Sequence, residues 1–373
     1  MLIIHAVLFD GKAFRPDAAL RMANGRITAC GPLQPLPGET VLDLAGDYLL
    51  PGFVDVHIHG FLGQDAMGGE ASVRAMSRAL ARAGVAAFCP TTMSASPEAT
   101  ALAMQGIQAV MDRPEANGAR VLGAHLEAPF LQESRAGAQN QRFFSLPDWQ
   151  LLEKITNGRP DSVRLLTLAP ELPGSEALIR RAVRSGIHVS IGHTSADAET
   201  VHRAADWGAD HVTHLFNAQS PLHHRAPGVP GASLTEDRLF CEMICDGIHL
   251  HPDIIRLALR CKGPKKALAV TDAMEAAGMP DGQYQLGGRP VHVSSGAARL
   301  EDGTLAGSVL TMPKALENLI HHFHIKAEAA CAMCTLTPAA SVGEPLAGRI
   351  LPGAPAILTR WTPQWRMVSA IQE

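Results

Sequence analysis

The stretch DVHIHG, Asp55 to Gly60, sets two imidazoles two positions apart at the end of an apolar run. In an extended strand successive side chains alternate faces, so Asp55, His57 and His59 share one side while Val54, Val56 and Ile58 share the other. Two neutral imidazoles converging on one point suit a divalent transition metal. A capped or solvated strand end would show the same pair, so its weight depends on whether the chain offers more ligands. It does: Glu127 in GAHLEAPF, His193 in SIGHT, His214 in HVTHLFN, His249 in CDGIHLHP and Asp272 in AVTDAM, from an unusual total of 17 histidines.

These residues sort by type. His57 and His59 can hold one metal, His193 and His214 another, and Glu127 can bridge because a carboxylate has two oxygens to share. Glu127, His193 and His214 already make the three-ligand set that leaves catalytic zinc an open position. A metal so held lowers the pKa of its bound water toward neutrality. Asp272 is then the general base and acid, and His249 can polarise a carbonyl or donate to a developing oxyanion, an effect worth several kcal/mol. The chemistry expected is metal-assisted hydrolysis of an amide, ester or similar bond. A solvated Glu127 before Pro129, a turn His193 after Gly192 or a helix-flanking His249 near Pro252 would each be unremarkable alone.

The elements that must position them read as an alternation of strands and helices. Strand-like segments fall at 53–59, 86–92, 120–128, 163–171, 188–194, 211–217, 239–249 and 266–272, with helical segments such as ASVRAMSRALARAG and SEALIRRAVRSG between them. This is the pattern of a (β/α)8 barrel spanning residues 51–344, an α/β fold whose active site lies at the C-terminal ends of its strands. The candidate residues fall at the ends of those segments. A Gly-rich alternating run at 279–309 reads as a β-hairpin inserted after the eighth strand, over the barrel mouth. Residues 1–50 read as a small antiparallel β unit, and 345–373 look alike, so both chain ends are expected to build one small β-sandwich domain.

Hydrophobic residues make up 46% of the 373 and charged residues 18%, which describes a globular protein with a sizeable core and excludes disorder. The formal charge of −4 comes without a Lys/Arg run, so neither nucleic acid nor a membrane surface is the expected partner, and a small molecule is. The N-terminus carries no basic leader, no apolar run could span a bilayer, and seven cysteines without an export signal suit a reducing cytoplasm. Cys331 and Cys334 form a lone CxxC in a helix-like stretch and read as buried thiols.

The stretches PGFVDVHIHG, GAHLEAPF, SIGHT, HVTHLFNAQSPLHHRAPG, CDGIHLHP, AVTDAM and DGTLAGSVLTM resemble the amidohydrolase superfamily, and within it the branch that deacetylates amino-sugar phosphates. The resemblance implies hydrolysis of the N-acetyl group of an amino-sugar 6-phosphate, as of N-acetylglucosamine 6-phosphate to glucosamine 6-phosphate and acetate. It implies that Glu127, His193 and His214 bind the principal metal, that Asp272 is the acid/base, and that His249 contacts substrate. Asn217 and Ala218 would touch the substrate through the backbone, and Arg225 would reach the sugar phosphate in a neighbouring subunit's site, which implies a homodimer. The metal would be zinc, with iron, manganese and cobalt also compatible with a His and carboxylate set, and one or two ions per subunit depending on His57 and His59.

Strand four, VRLLTLAPE, has no lysine of the kind that bridges two metals in many relatives, which leaves bridging to Glu127. Four departures concern the pocket. Ala128 stands where the family usually has Gly. Gln139 stands where a pocket-lining His is usual, and Gln219 and Ala226 replace Met and Glu. An altered amino sugar, a different N-acyl or cyclic amide, or a non-catalytic sugar-binding barrel are the alternative readings.

Overall fold

The computed structural model describes residues 1–372. Eight parallel strands form the barrel: β1 (Phe53–Ile58), β2 (Val85–Thr92), β3 (Ala124–Leu126), β4 (Val163–Leu168), β5 (His188–Ile191), β6 (His211–Val212), β7 (Phe240–Ile244) and β8 (Ala267–Val270). Each pairs with the next in chain order. The ring closes between its ends: Ile58 bridges Ala273, Asp272 N–H donates to His57 O at 2.9 Å and His59 N–H to Ala273 O at 2.8 Å. The closing seam therefore lays the DVHIHG histidines directly against Asp272.

Every residue of β1, β2 and β8 is buried, because helices cover the outside of a parallel sheet and side chains fill the inside. The covering helices are amphipathic. Helix α1 (Gly69–Arg82) turns Val73, Met76, Ser77, Leu80 and Ala81 inward, the three-and-four spacing of one helical face. Helix α2 (Pro97–Asp112) starts where the Ser96 hydroxyl accepts from Ala99 N–H at 3.2 Å and Pro97 occupies the first turn. The expected (β/α)8 barrel with a companion β domain is the fold found.

Five N-terminal strands (Leu2–Phe9, Phe14–Ala23, Arg26–Gly31, Val41–Asp43, Tyr48–Pro51) and two C-terminal ones (Leu358–Trp361, Met367–Ile371) form one seven-stranded sheet. It has its own core of Ile3, Leu20, Met22, Ile27, Leu49 and Leu358. Tyr48–Pro51 pairs antiparallel with Leu358–Trp361 and runs straight into β1, so the sheet anchors the strand that carries His57.

Three details differ from the sequence expectations. The N-terminal unit is mixed, since Leu2–Ile4 pairs in parallel with Val41–Asp43, and Val7–Leu8 with Tyr48–Leu49. The connector at 32–40, with three prolines, is long enough to carry the chain back to the starting end instead of turning it as a hairpin. The 279–309 insertion is a three-stranded meander (Gly282–Leu286, Arg289–Ser294, Ala297–Arg299) turning at Gly287–Gly288 and Ser295–Gly296. Its Leu286 and Val291 pack with Met93 and Met274, just past the ends of β2 and β8, so it stands beside the barrel mouth. The barrel strands are also shorter than their apolar segments: β6 keeps two residues, and Leu122–Gly123 interrupts 120–128, with Gly123 at φ 135°.

Gly192, just after β5, sits where the backbone has no room for a side chain: a Cβ there would lie 2.7 Å from Thr213 Cβ and 2.8 Å from Thr167 Cγ2. Gly192→Ala should cost about 1–3 kcal/mol by overpacking, read as a lower denaturation midpoint at unchanged slope. Unaltered stability would show that β4 and β6 part freely there.

Candidate metal centre and catalytic pocket

The reactive side chains leave the barrel just beyond its strands. His59 and Glu127 follow the last residues of β1 and β3 directly, and His193, His214 and Asp272 lie two residues past β5, β6 and β8. The last three have left-handed backbones, with φ of 47°, 30° and 49°. A left-handed residue cannot continue a strand, so the turn that aims each side chain also ends its strand. Such conformations cost about 1–3 kcal/mol each and gather at functional sites.

Glu127 Oε1 stands 3.0 Å from His193 Nε2 and 3.1 Å from His214 Nε2, and those two nitrogens are 3.2 Å apart. His193 Nδ1 lies 2.8 Å from the Arg135 carbonyl, which can only accept, so Nδ1 carries the proton and Nε2 presents a lone pair. The same logic holds for His57 and His59, whereas His214 Nδ1 is buried without a hydrogen-bond partner. His59 Nδ1 donates to Thr91 O at 3.1 Å and His57 Nδ1 to Glu242 Oε2 at 3.0 Å. Their Nε2 atoms then face Asp272 Oδ1 at 3.1 and 3.4 Å, with Glu127 Oε2 3.3 Å from His59 and Oε1 3.5 Å from His57. His57 Nε2 is buried without a hydrogen-bond partner.

Lone pairs meeting carboxylate oxygens repel unless a cation lies between them. Ligands at about 2.0–2.1 Å on a tetrahedral ion are separated by about 3.3 Å, close to the spacing of the Glu127, His193 and His214 atoms. Proton-accepting partners on the far ring nitrogen are also the usual support of metal-binding histidines. Glu127–His193–His214 and His57–His59–Asp272 are thus two groups that could each hold a metal ion, with Glu127 between them. His57, His125 and Glu242 are a third such cluster. There His125 has both nitrogens engaged, with Val56 O at 3.2 Å and Thr167 Oγ1 at 2.8 Å. Burial, together with the neighbouring His57, pushes its pKa down to about 3.

The electrostatics agree. Burial opposes charge on His57, but Asp272, Glu127 and Glu242 outweigh it and hold the metal-free imidazole up at about 9. His59 is raised well above its usual value by hydrogen bonds and charge from Asp272 and Glu127, again against burial. Asp272 is held down at about 2, its burial overcome by His57 and His59.

One cavity of about 320 Å³ is lined by His59, Glu127, His193, His214, His249 and Asp272, together with Asn217, Ala218 and Gln139. That is the lower range for a small-molecule site. His57 is fully buried beneath it. Asn217 and Ala218 sit in a turn where Phe216 and Ala218 also have positive φ, 78° and 51°. Gln219 braces that turn, accepting from Phe216 N–H at 2.9 Å and donating to Thr213 O at 2.8 Å. The Gln139 amide is already engaged: its oxygen accepts from Ser94 N–H at 2.7 Å, so its NH₂ faces Glu127 Oε2 at 2.5 Å. Arg225 is exposed, lies beside His224 and does not line the cavity, whereas Arg135 does.

Sequence reasoning did not single out Glu242, Thr91 or Arg135. Glu242 left a signal, a lone carboxylate in the apolar run LFCEMIC. The other two act through backbone carbonyls, which leave none. The CxxC thiols are buried in one helix, Ala327–Cys334, and burial pushes both well up.

The amidohydrolase family model matches residues 48–371, and the chain belongs to the amidohydrolase family. Among curated relatives, the N-acetylglucosamine-6-phosphate deacetylase of Lysinibacillus sphaericus is 38% identical over 80% of this chain and 77% of that protein. The N-acetylgalactosamine-6-phosphate deacetylase of Escherichia coli O157:H7 is 34% identical over 93% and 91%. A solved structure of a mutant N-acetyl-D-glucosamine-6-phosphate deacetylase from Mycobacterium smegmatis, in complex with N-acetyl-D-glucosamine-6-phosphate, superposes with a TM-score of 0.92 at 31% identity, covering 100% of this chain and 97% of that one.

Because His57 and His59 carry protons at neutral pH without metal, filling their site must expel them. In the metal-free protein the raised His57 imidazole contributes stability that is complete below about 6.5 and lost as the pH rises through about 9, and His59, raised well above its usual value, acts in the same direction. Metal affinity should run the other way, rising from pH 6 to 9. Calorimetry in buffers of different ionisation enthalpy should show net proton release at pH 7. Metal uptake without proton release would contradict the titration of this pair.

Proposed function

We propose that the chain hydrolyses the N-acetyl group of an amino-sugar 6-phosphate, N-acetylglucosamine 6-phosphate foremost, giving the amine and acetate. The observation that carries this reading is the sharing of one Glu127 oxygen by His193 and His214 Nε2 on the wall of a small cavity that Asp272 also lines. A divalent ion held there, zinc by ligand type, would make water a competent nucleophile at neutral pH and polarise the acetyl carbonyl. Iron, manganese or cobalt would suit the same donors. His57 and His59, with Asp272, offer a second and partly filled position, hence one or two ions per subunit.

Asp272, ionised and at the edge of the ligand cluster, takes a proton from the attacking water as its oxygen bonds to the acetyl carbon. It returns that proton to the amine nitrogen as the C–N bond breaks. His249 donates toward the carbonyl oxygen as charge develops there. Asn217 and Ala218 hold the sugar, and Gln139 acts on it through Glu127. The phosphate would be met by Arg225 from a neighbouring subunit of a homodimer, because a guanidinium forks onto phosphate oxygens. We place the protein in the cytoplasm, consistent with seven free cysteines, and among the described residues no helix is long and apolar enough to cross a membrane.

The galactosamine epimer is the second reading, since the Escherichia coli relative aligns over more of the chain. Acetate release from phosphorylated and unphosphorylated N-acetylglucosamine and N-acetylgalactosamine tests the proposal. The phosphorylated sugars should be preferred by at least about tenfold in kcat/KM, and Asp272→Asn should lower kcat by about 10²–10⁴-fold. No acetate from any of the four would reject it.

A further inference from the structure

His249 is the one pocket histidine outside the ligand cluster, and what it can do depends on which nitrogen bears its proton. After β7 the chain turns through Asp246–Gly247–Ile248–His249, with Gly247 at φ 80°. Asp246 Oδ1 accepts from Ile248 N–H at 2.8 Å and His249 N–H at 2.9 Å, and Oδ2 lies 2.6 Å from His249 Nδ1. The two side chains are only 6% and 8% exposed.

We propose that Asp246 is the positioning residue of His249, fixing its proton on Nδ1 and leaving Nε2 as the atom presented to the bound substrate. An ionised carboxylate can only accept, so the 2.6 Å contact requires a proton on Nδ1. The two amide donors hold the other oxygen and prevent the carboxylate from rotating away. His249 lines the cavity, and with Nδ1 turned to Asp246 a ring flip would break a charge-assisted bond. When the ring gains a second proton, Nε2–H becomes the donor toward the substrate and Asp246 balances the imidazolium. A ring without this partner could adopt the opposite tautomer or leave the pocket. The carboxyl of Asp246 is itself kept below its usual range, burial being outweighed by the His249 ring and these amides.

The catalytic part of this inference rests on the deacetylase reading, but the tautomer does not. In zinc-loaded protein with ¹⁵N-labelled histidine, His249 should show a protonated, strongly hydrogen-bonded Nδ1 and an unprotonated Nε2 at alkaline pH. A wild-type spectrum with the proton on Nε2 would overturn the proposal whether or not any variant folds. Asp246→Asn presents an NH₂ to Nδ1, so the tautomer should invert. With the best amino-sugar substrate, kcat should then fall by at least about tenfold, because the neutral Nε2–H that remains is a weaker donor than an imidazolium balanced by the Asp246 carboxylate, with KM changed less than about threefold. Asp246→Asn combined with His249→Ala should be no slower than His249→Ala alone. Additive losses, or an Asp246→Asn enzyme within twofold of wild type in kcat, would show that Asp246 serves the fold only. Failure of every amino-sugar substrate alongside the Nδ1–H tautomer would reject the deacetylase reading and support this one.

Discussion

The structure turns on one electrostatic conflict. At one end of the barrel, four imidazole Nε2 atoms each stand about 3.0–3.5 Å from a carboxylate oxygen of Glu127 or Asp272. Where the Nδ1 atoms are turned to acceptors (Arg135 O, Thr91 O, Glu242), the Nε2 lone pairs have no proton to offer the oxygens they face. Each such atom buried without a partner costs roughly 1–3 kcal/mol. Protons on His57 and His59 relieve part of the conflict in the metal-free protein, and a divalent ion relieves it better. Fold stability should rise with metal content for that reason.

Much of the remaining architecture holds those atoms in place against that repulsion. The ring closes by hydrogen bonds between the His57–His59 segment and residues 272–273, so barrel closure and assembly of one ligand group are the same event. The terminal sheet runs directly into β1. Left-handed backbones at His193, His214 and Asp272 stop three strands early and swing their side chains to the axis. Glu242 accepts from both the His57 ring and the His214 N–H, linking the two ligand groups from below. The Gln139 amide does so from above through Glu127.

The barrel was legible because buried parallel strands and amphipathic helices leave long periodic signals, and the ligand types because His, Glu and Asp recur where those signals stop. What was not legible depends on contacts between distant segments. Nothing local distinguishes the Arg135 or Thr91 carbonyl, which orient His193 and His59, from any other carbonyl. Gln139 drew notice as a departure from a family pattern, but its bond to Glu127 depends on Ser94, 45 positions away. The parallel pairing of Leu2–Ile4 with Val41–Asp43 was missed because alternation is the same in both strand directions. The expected strand lengths failed because an apolar run continues through residues whose backbone has already turned.

The central claim is that Glu127, His193 and His214 converge because a cation belongs between them. Anomalous scattering from crystals of protein purified without added metal, recorded on both sides of the absorption edge of the element found by fluorescence, tests it directly. The account predicts a peak within about 2.0–2.3 Å of Glu127 Oε1, His193 Nε2 and His214 Nε2, with any weaker second peak beside His57 and His59. A peak bound only at the His57–His59 pair, or a metal-free site in crystals of enzyme that retains full activity in chelator, would contradict it.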